Sequence, residues 1–343
     1  MGVKVIVPFS GGKDSQATLL YAVEKYGADK ITAVFNDLKW DHEITYNHIK
    51  YVTDKLGVKL VNLFSDKYDG FVDLCKKKTF PARTRRICTI HLKIEPMIDY
   101  VLSLKSNVII LQGIRADESE ERSLMNEECR FFKYYFEPYQ TNSMLVEKKS
   151  LIIKKYEAAK TLSAVQKKAL KKAKEKIKEL NERLAKGKED EKYHDYRKED
   201  VFEFCKIYSD DIHRPFFSKT ANEVIYFSLN RGFTIHPFYF LGVSRIGCFP
   251  CIYATLDEMR LIVNEFPEII DKIRLLEKEA EGSFFGPGYI PKRYQTGFDK
   301  KSGKKFPTID DVVRYINDRQ ATGNLFENDP VITGCRSVYA ICE

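Results

Sequence analysis

No apolar run in the chain approaches the roughly 20 residues that a membrane-spanning helix needs, which argues against a helical membrane protein. The N-terminus lacks the basic segment, apolar core and small-residue cleavage site of a secretory signal, and Met1 leads straight into a strand-like run, so the expected location is the cytoplasm. No stretch recurs at a fixed period, which excludes a solenoid or repeat array. Nor is either sign of charge scarce: 57 Lys and Arg face 49 Asp and Glu, a net charge of +8. That excess is too modest to identify a polyanion-binding protein by itself. What remains is an ordinary folded composition, 43% hydrophobic and 31% charged over 343 residues. It is long enough for one large α/β domain with additions, or for two domains.

Two absences concern chemistry. The 6 histidines show no ligand spacing, so none is a metal candidate. The sequence also contains neither the G-x-x-x-x-G-K-[ST] loop nor the dinucleotide G-x-G-x-x-G. The 8 cysteines, in a reducing compartment, point to metal binding or catalysis more than to disulfides, and their spacing has to decide.

Short apolar runs alternate with amphipathic segments through the first part, the pattern of βαβ units feeding a parallel sheet. Val3 to Phe9, Ile31 to Phe35, Val58 to Phe64 and Val108 to Gln112 read as strands. Gln16 to Tyr26, Glu43 to Leu56 and Ile94 to Leu104 read as helices between them, and Ile309 to Ile316 as a later one. From Glu147 the composition turns to Lys, Glu, Ala and Leu with almost no aromatics. Its apolar positions recur at helical spacing, which predicts a long exposed helix or helical hairpin inserted in the domain, either a solvated charged face or an arm for nucleic acid or a partner.

Ser10-Gly11-Gly12-Lys13-Asp14-Ser15 lies directly after a strand and before a helix. Two glycines let backbone N–H groups approach an anion without a Cβ in the way, and the helix start adds partial positive charge. The hydroxyls of Ser10 and Ser15 are further donors, and Lys13 meets phosphate as a point charge. A pyrophosphate suits this cradle.

SGGKDS at such a turn resembles the PP-loop of the adenine-nucleotide α-hydrolase family, which includes ATP sulfurylase small subunits, tRNA thiolases and phosphoadenylylsulfate (PAPS) reductases. Members split ATP into AMP and pyrophosphate. Three later blocks resemble the PAPS-reductase branch in the same order. They are Arg86-Ile87-Cys88-Thr89 with Leu92, Lys93 and Pro96; Gly113-Ile114-Arg115-Ala116-Asp117-Glu118-Ser119 with Arg122; and His236-Pro237-Phe238-Tyr239 with Gly242, Arg245, Gly247, Cys248 and Cys251. The resemblance implies a doubly wound parallel α/β sheet: residues 1–146 bind the nucleotide, 147–200 form the charged insertion, and 201–343 complete the domain as an α-rich, cysteine-containing part. ATP would be held by Ser10 to Ser15 with Asp37, Lys93, Gly113 and Arg115 nearby. Lys13, Asp14 and Arg115 would be catalytic, and Asp37 would hold Mg²⁺ or ribose. Arg86, Lys93, Arg115 and Arg122 are cations for phosphates or an anionic sulfur substrate, since guanidinium clamps such groups bidentately.

Cys248-Phe249-Pro250-Cys251 is a C-x-x-C pair, which puts two thiolates on one metal and needs further ligands for a closed site. Cys88 matches a position at which related iron–sulfur reductases supply ligands. Those show adjacent cysteines where this chain has Cys88-Thr89, so Cys335, Cys342 or an open iron is left for the fourth position of a [4Fe–4S] cluster, and zinc is the competing metal. Cys75, Cys129 and Cys205 read as buried thiols. PAPS reductases carry an altered loop without the lysine, whereas a complete loop favours ATP. The resemblance runs closest to the DndC-like proteins of DNA phosphorothioation. It implies ATP, Mg²⁺ and a cluster as cofactors, with DNA or another nucleic acid and a sulfur donor such as a cysteine desulfurase as partners. PAPS or adenylylsulfate reduction, and a catalytically silent nucleotide-sensing subunit of a DNA modification or defence system, stay open.

Overall fold

The structure is a computed structural model that describes residues 2–82, 85–159, 161, 164–299 and 303–322. They fall into two compact units, one built from residues 1–129 and 211–343, the other from Arg130–Asp210.

In the first unit, strands β1 (Lys4–Pro8), β2 (Ile31–Asn36), β3 (Lys59–Leu63) and β4 (Val108–Leu111) stand where the apolar runs predict them. With β5 (Glu128–Arg130) and β6 (Asp210–His213) the sheet order is β3-β2-β1-β4-β6-β5. β1 pairs in parallel with both β2 and β4, Val5 lying opposite Ile31 and Ile109. Buried on both faces, such strands read as continuous apolar runs, which is why Val5, Ile6 and Val7 follow one another. Helix α1 (Lys13–Tyr26) follows β1, α2 (Glu43–Leu56) follows β2, and α3 (Gly70–Lys77) and α4 (Glu95–Ser103) lie between β3 and β4. Chain order reverses around β1, with β2 on one side and β4 on the other, a switch point that leaves a crevice at the strands' carboxyl ends.

The segment Arg130–Asp210 is wider than the expected 147–200 insertion because aromatic residues before and after the helices pack together. Phe132 and Tyr135 meet Phe204 and His194 at ring distances of 5.7 and 5.9 Å. The fully buried carboxylate of Asp210 accepts from Phe132 N at 2.7 Å and pairs with Arg130. From this base rise α5 (Asn142–Glu157) and α6 (Ala164–Ala185), the predicted helical hairpin. Its foot is tied by Tyr139 N to Lys192 O at 2.8 Å and by Asn142 Nδ2 to Lys188 O at 2.8 Å. Helix α7 (Lys198–Ile207) returns the chain to β6.

After α8 (Ala221–Leu229), the first unit is completed by α9 (Leu256–Glu265), α10 (Pro267–Glu279) and α11 (Ile309–Thr322). They build a second apolar core around Trp40, Phe71, Phe238, Phe249, Ile273 and Phe284. No helix among the described residues is long and apolar enough to cross a membrane.

Candidate functional site

The cradle begins where β1 ends. Gly11 adopts φ +77°, and a Cβ there would stand 3.3 Å from Ile49 and 3.5 Å from His236, so glycine is needed both for the turn and for the space. Gly12 caps α1 without any side-chain hydrogen bond, which leaves first-turn N–H groups to an external acceptor at the positive end of a 14-residue helix. Lys13 N is the exception and donates to Tyr239 Oη at 3.2 Å. Ser15 Oγ donates to Gly12 O at 2.9 Å and accepts from Ser10 N at 3.3 Å, closing the loop on itself.

Two histidines support the cradle from below. Phe238 N donates to His236 Nδ1, so the proton sits on Nε2, which reaches Thr45 Oγ1 at 3.2 Å. Gln16 Nε2 donates to Thr234 O, so Gln16 Oε1 is left to accept from His48 Nε2 at 2.8 Å. Burial pushes His236 down to about 3 and His48 to about 4. Both are neutral at pH 7, and the loop rests on them without added charge.

Arg115, buried after β4, donates to Asp14 and Asp117. The Lys13 ammonium lies 3.5 Å from Asp14 and 4.9 Å from the centre of the Tyr239 ring. Burial and the like charges of Arg245, Arg115 and Arg86 together depress the Arg122 guanidinium, against the pull of Asp14. Four arginines therefore share one field beside the cradle. Sequence reasoning picks three of them as anion cations and leaves Arg245, an exposed residue of the third block, without a role.

A solvent-open cleft of about 230 Å³ lies at the switch point, lined by Phe9, Ser10 and Ser15 after β1, Asn36 at the end of β2 and Gly113 after β4, with Asp41, Lys93 and Cys248. Asp37 does not line it; its carboxylate accepts from Tyr46 Oη at 2.7 Å and from Lys39 N at 2.8 Å. Asp41 does line it, and burial raises its carboxyl to about 7, against the pull of Lys93. No sequence motif marked Asp41, and its environment is visible only in three dimensions.

Gly113 has a different constraint from Gly11. A Cβ there would stand 2.6 Å from both Asp14 C and Ser15 N, so β4's end and the start of α1 touch backbone to backbone. Gly113→Ala is expected to lower stability by about 1–3 kcal/mol, the scale of overpacking, and to push the cradle out of position. Denaturant midpoints and nucleotide titration check this; an alanine variant that binds nucleotide like the parent would show that the contact is loose.

The structure brings Cys88, Cys248 and Cys251 into mutual electrostatic reach around Lys93. Cys88 and Lys93 ride on one continuous segment, a helical turn at Ile87–Thr89 that opens into a π-helical turn at Ile90–Ile94 before α4. Negative charge at Cys248 would be the largest influence raising the half-buried Lys93, ahead of Asp41, Cys251 and Cys88. Burial in turn pushes the Cys248 thiol up to about 12 and raises Cys251 and Cys88. Among the described residues no three Cys, His, Asp or Glu side chains converge closely enough to hold a metal ion as they stand. The donor chemistry nonetheless suits a thiophilic centre, because metal binding supplies the energy that removes the thiol protons. Cys335 and Cys342 lie outside the described residues. Of the remaining described thiols Cys75 is buried as expected, while Cys129 and Cys205 are only half-buried; Cys129 takes a contact from Arg214 at 3.5 Å and Cys205 makes one with Asp210 at 4.0 Å.

A family model described as the phosphoadenosine phosphosulfate reductase domain matches residues 4–254. The chain belongs to this family. With membership comes the PP-loop fold of the phosphoadenosine phosphosulfate reductase domain. An uncharacterized protein of Methanocaldococcus jannaschii is 24% identical over 290 residues, 84% of this chain but 44% of its own length. The chain thus spans less than half of that relative. An uncharacterized 37.8 kDa protein of Escherichia phage 186 is 21% identical across 98% of this chain and 96% of its own. Among solved structures, a phosphoadenylyl-sulfate reductase from Candida auris in a phosphate complex covers 73% of this chain and 82% of its own, with 11% identity and a TM-score of 0.40.

Proposed function

We propose that the chain is an ATP pyrophosphatase and adenylyltransferase that activates an anionic acceptor for sulfur transfer, in the manner of DndC-like sulfurtransferases. The observation that carries this reading is the complete cradle, Ser10 to Ser15, with its uncapped helix start and its serines on the cleft at the switch point, and with Arg86, Arg115, Arg122 and Arg245 acting on one another beside Asp14. ATP lies with its phosphates on the loop. An acceptor oxygen attacks the α-phosphorus, the bond to the β-phosphate oxygen breaks, and pyrophosphate leaves; the acceptor is then adenylylated. Sulfide, set free from the persulfide of a donor such as a cysteine desulfurase by a two-electron thiol reductant, attacks the adenylylated acceptor, the bond to the AMP oxygen breaks, and AMP leaves behind a thiolated product. A DNA backbone phosphate is the acceptor that suits the arginine field. Lys13 and Arg115 offset charge on the phosphates, and Asp14 holds Arg115 in place. Mg²⁺ would come with the nucleotide and keep most of its waters, bound chiefly by phosphate. A [4Fe–4S] cluster on Cys88, Cys248 and Cys251 would supply a site for sulfide.

The test is product analysis together with metal analysis on anaerobically purified protein. AMP and pyrophosphate are expected from ATP, with iron and acid-labile sulfide that are lost in Cys248→Ser and Cys251→Ser. ADP and phosphate would overturn the loop assignment, and stoichiometric zinc without sulfide would overturn the cluster. The family's own name favours one other reading, reduction of PAPS or adenylylsulfate; tighter binding of a 3′-phosphorylated sulfonucleotide than of ATP would establish it. Nucleotide binding without pyrophosphate release, with and without DNA, would point to a silent sensing subunit.

A further inference from the structure

The basicity of this protein is concentrated in one place. Residues 148–178 contain twelve lysines and two glutamates, a net charge of +10 against +8 for the whole chain, so everything else is net −2. Most of these residues lie on the hairpin helices α5 and α6.

The helices pack through an apolar stripe on α6 in which Ala173 and Leu180 are buried and Leu170, Ile177 and Leu184 half-buried. Lys167, Lys171, Lys174 and Lys178 follow at i, i+4, i+7 and i+11, so they form one row about 16 Å long on a different face. All four are exposed. Lys174 pairs with Glu157 at 2.6 Å.

We propose that this lysine face docks the phosphate backbone of duplex nucleic acid without reading its sequence. The composition separates that partner from others. A membrane-surface helix sets large apolar residues beside its lysines, and among its described residues α6 exposes no large hydrophobic side chain. Protein interfaces favour aromatic residues and arginine and are depleted in lysine. Single strands are gripped by stacking on aromatic rings, and α6 has none. Lysine without aromatics suits phosphates alone, whose neutralisation releases counterions and gives affinity that falls steeply with salt. The nature of the acceptor above suggests that the duplex is the substrate, and only that step rests on the proposed reaction; the docking itself does not.

Fluorescence anisotropy of the full-length protein with a labelled duplex of arbitrary sequence, measured across a salt series, tests the face. Lys167→Glu with Lys171→Glu and Lys178→Glu is expected to weaken binding at low salt by more than about tenfold and to flatten the log–log salt slope by about 3, one unit per lost phosphate contact. The three positions are exposed, and circular dichroism verifies that the helix persists; the same three positions changed to Gln provide a milder second set. An absent duplex signal, an unchanged slope in both sets, or equal affinity for phosphatidylserine vesicles would overturn the proposal. Pyrophosphate release from ATP without DNA, run on the same variants, is expected to match the parent, so failure of the docking face and failure of the proposed chemistry are read separately.

Discussion

Lys13→Ala is expected to lower kcat/KM for pyrophosphate release by more than about tenfold, the scale of one lost charge-assisted contact. The lysine side chain is 12% exposed, so its charge acts with little screening from water. Before nucleotide binds, the ammonium rests on Asp14 and the Tyr239 ring; a phosphate competes for it with two charges where Asp14 offers one. If the contact strengthens as charge builds on the departing pyrophosphate, kcat falls as well as affinity, whereas contact with bound ATP alone raises KM and leaves kcat unchanged. Fold stability is expected to change little, since Asp14 keeps its bond to Arg115. Steady-state kinetics and nucleotide titration on the same preparation separate these cases. A parental rate in Lys13→Ala would mean that the loop holds something other than reacting phosphates.

The cradle was legible in the sequence because its parts are local: six consecutive residues after an apolar run, with the constraint on Gly11 settled by one turn. The four strands and their helices were legible for a similar reason, since a strand buried on both faces must be a short unbroken apolar run. What lies beyond reading is what arrives from far along the chain. Tyr239 meets Lys13 across 226 positions, and the histidine pair under the loop joins α2 to the segment after α8. Asp41 is one acidic residue among 49 Asp and Glu until burial lifts its carboxyl. The edges of the insertion were misplaced because Phe132, Tyr135 and Phe204 have the composition of a domain core, although the core they make belongs to the hairpin's base.

Trp40, the single tryptophan, is fully buried in the turn between β2 and α2 and spans from the sheet to the cysteine loop. Its ring lies 5.0 Å from Phe71 and 6.1 Å from Phe284, centre to centre, and the Lys272 ammonium sits 4.2 Å from its own. Its Nε1–H donates to Pro250 O at 2.8 Å, inside the C-x-x-C pair, while Lys272 Nζ donates to Trp40 O at 2.9 Å. Trp40→Ala is expected to destabilise by about 3–5 kcal/mol, the range for emptying a large aromatic site. Trp40→Phe keeps much of the apolar area but leaves the Pro250 carbonyl without its donor, which costs about 1–3 kcal/mol where the group is desolvated. Denaturant unfolding with unchanged m-value measures both. The phenylalanine variant is the informative one, because it folds: it should retain nucleotide binding, as Trp40 does not line the cleft, and lose metal occupancy at the cysteines if the loop needs that bond to stay in register. Equal stability in Trp40→Phe and the parent would show that the cysteine loop is held by its own contacts and that the tryptophan only fills space.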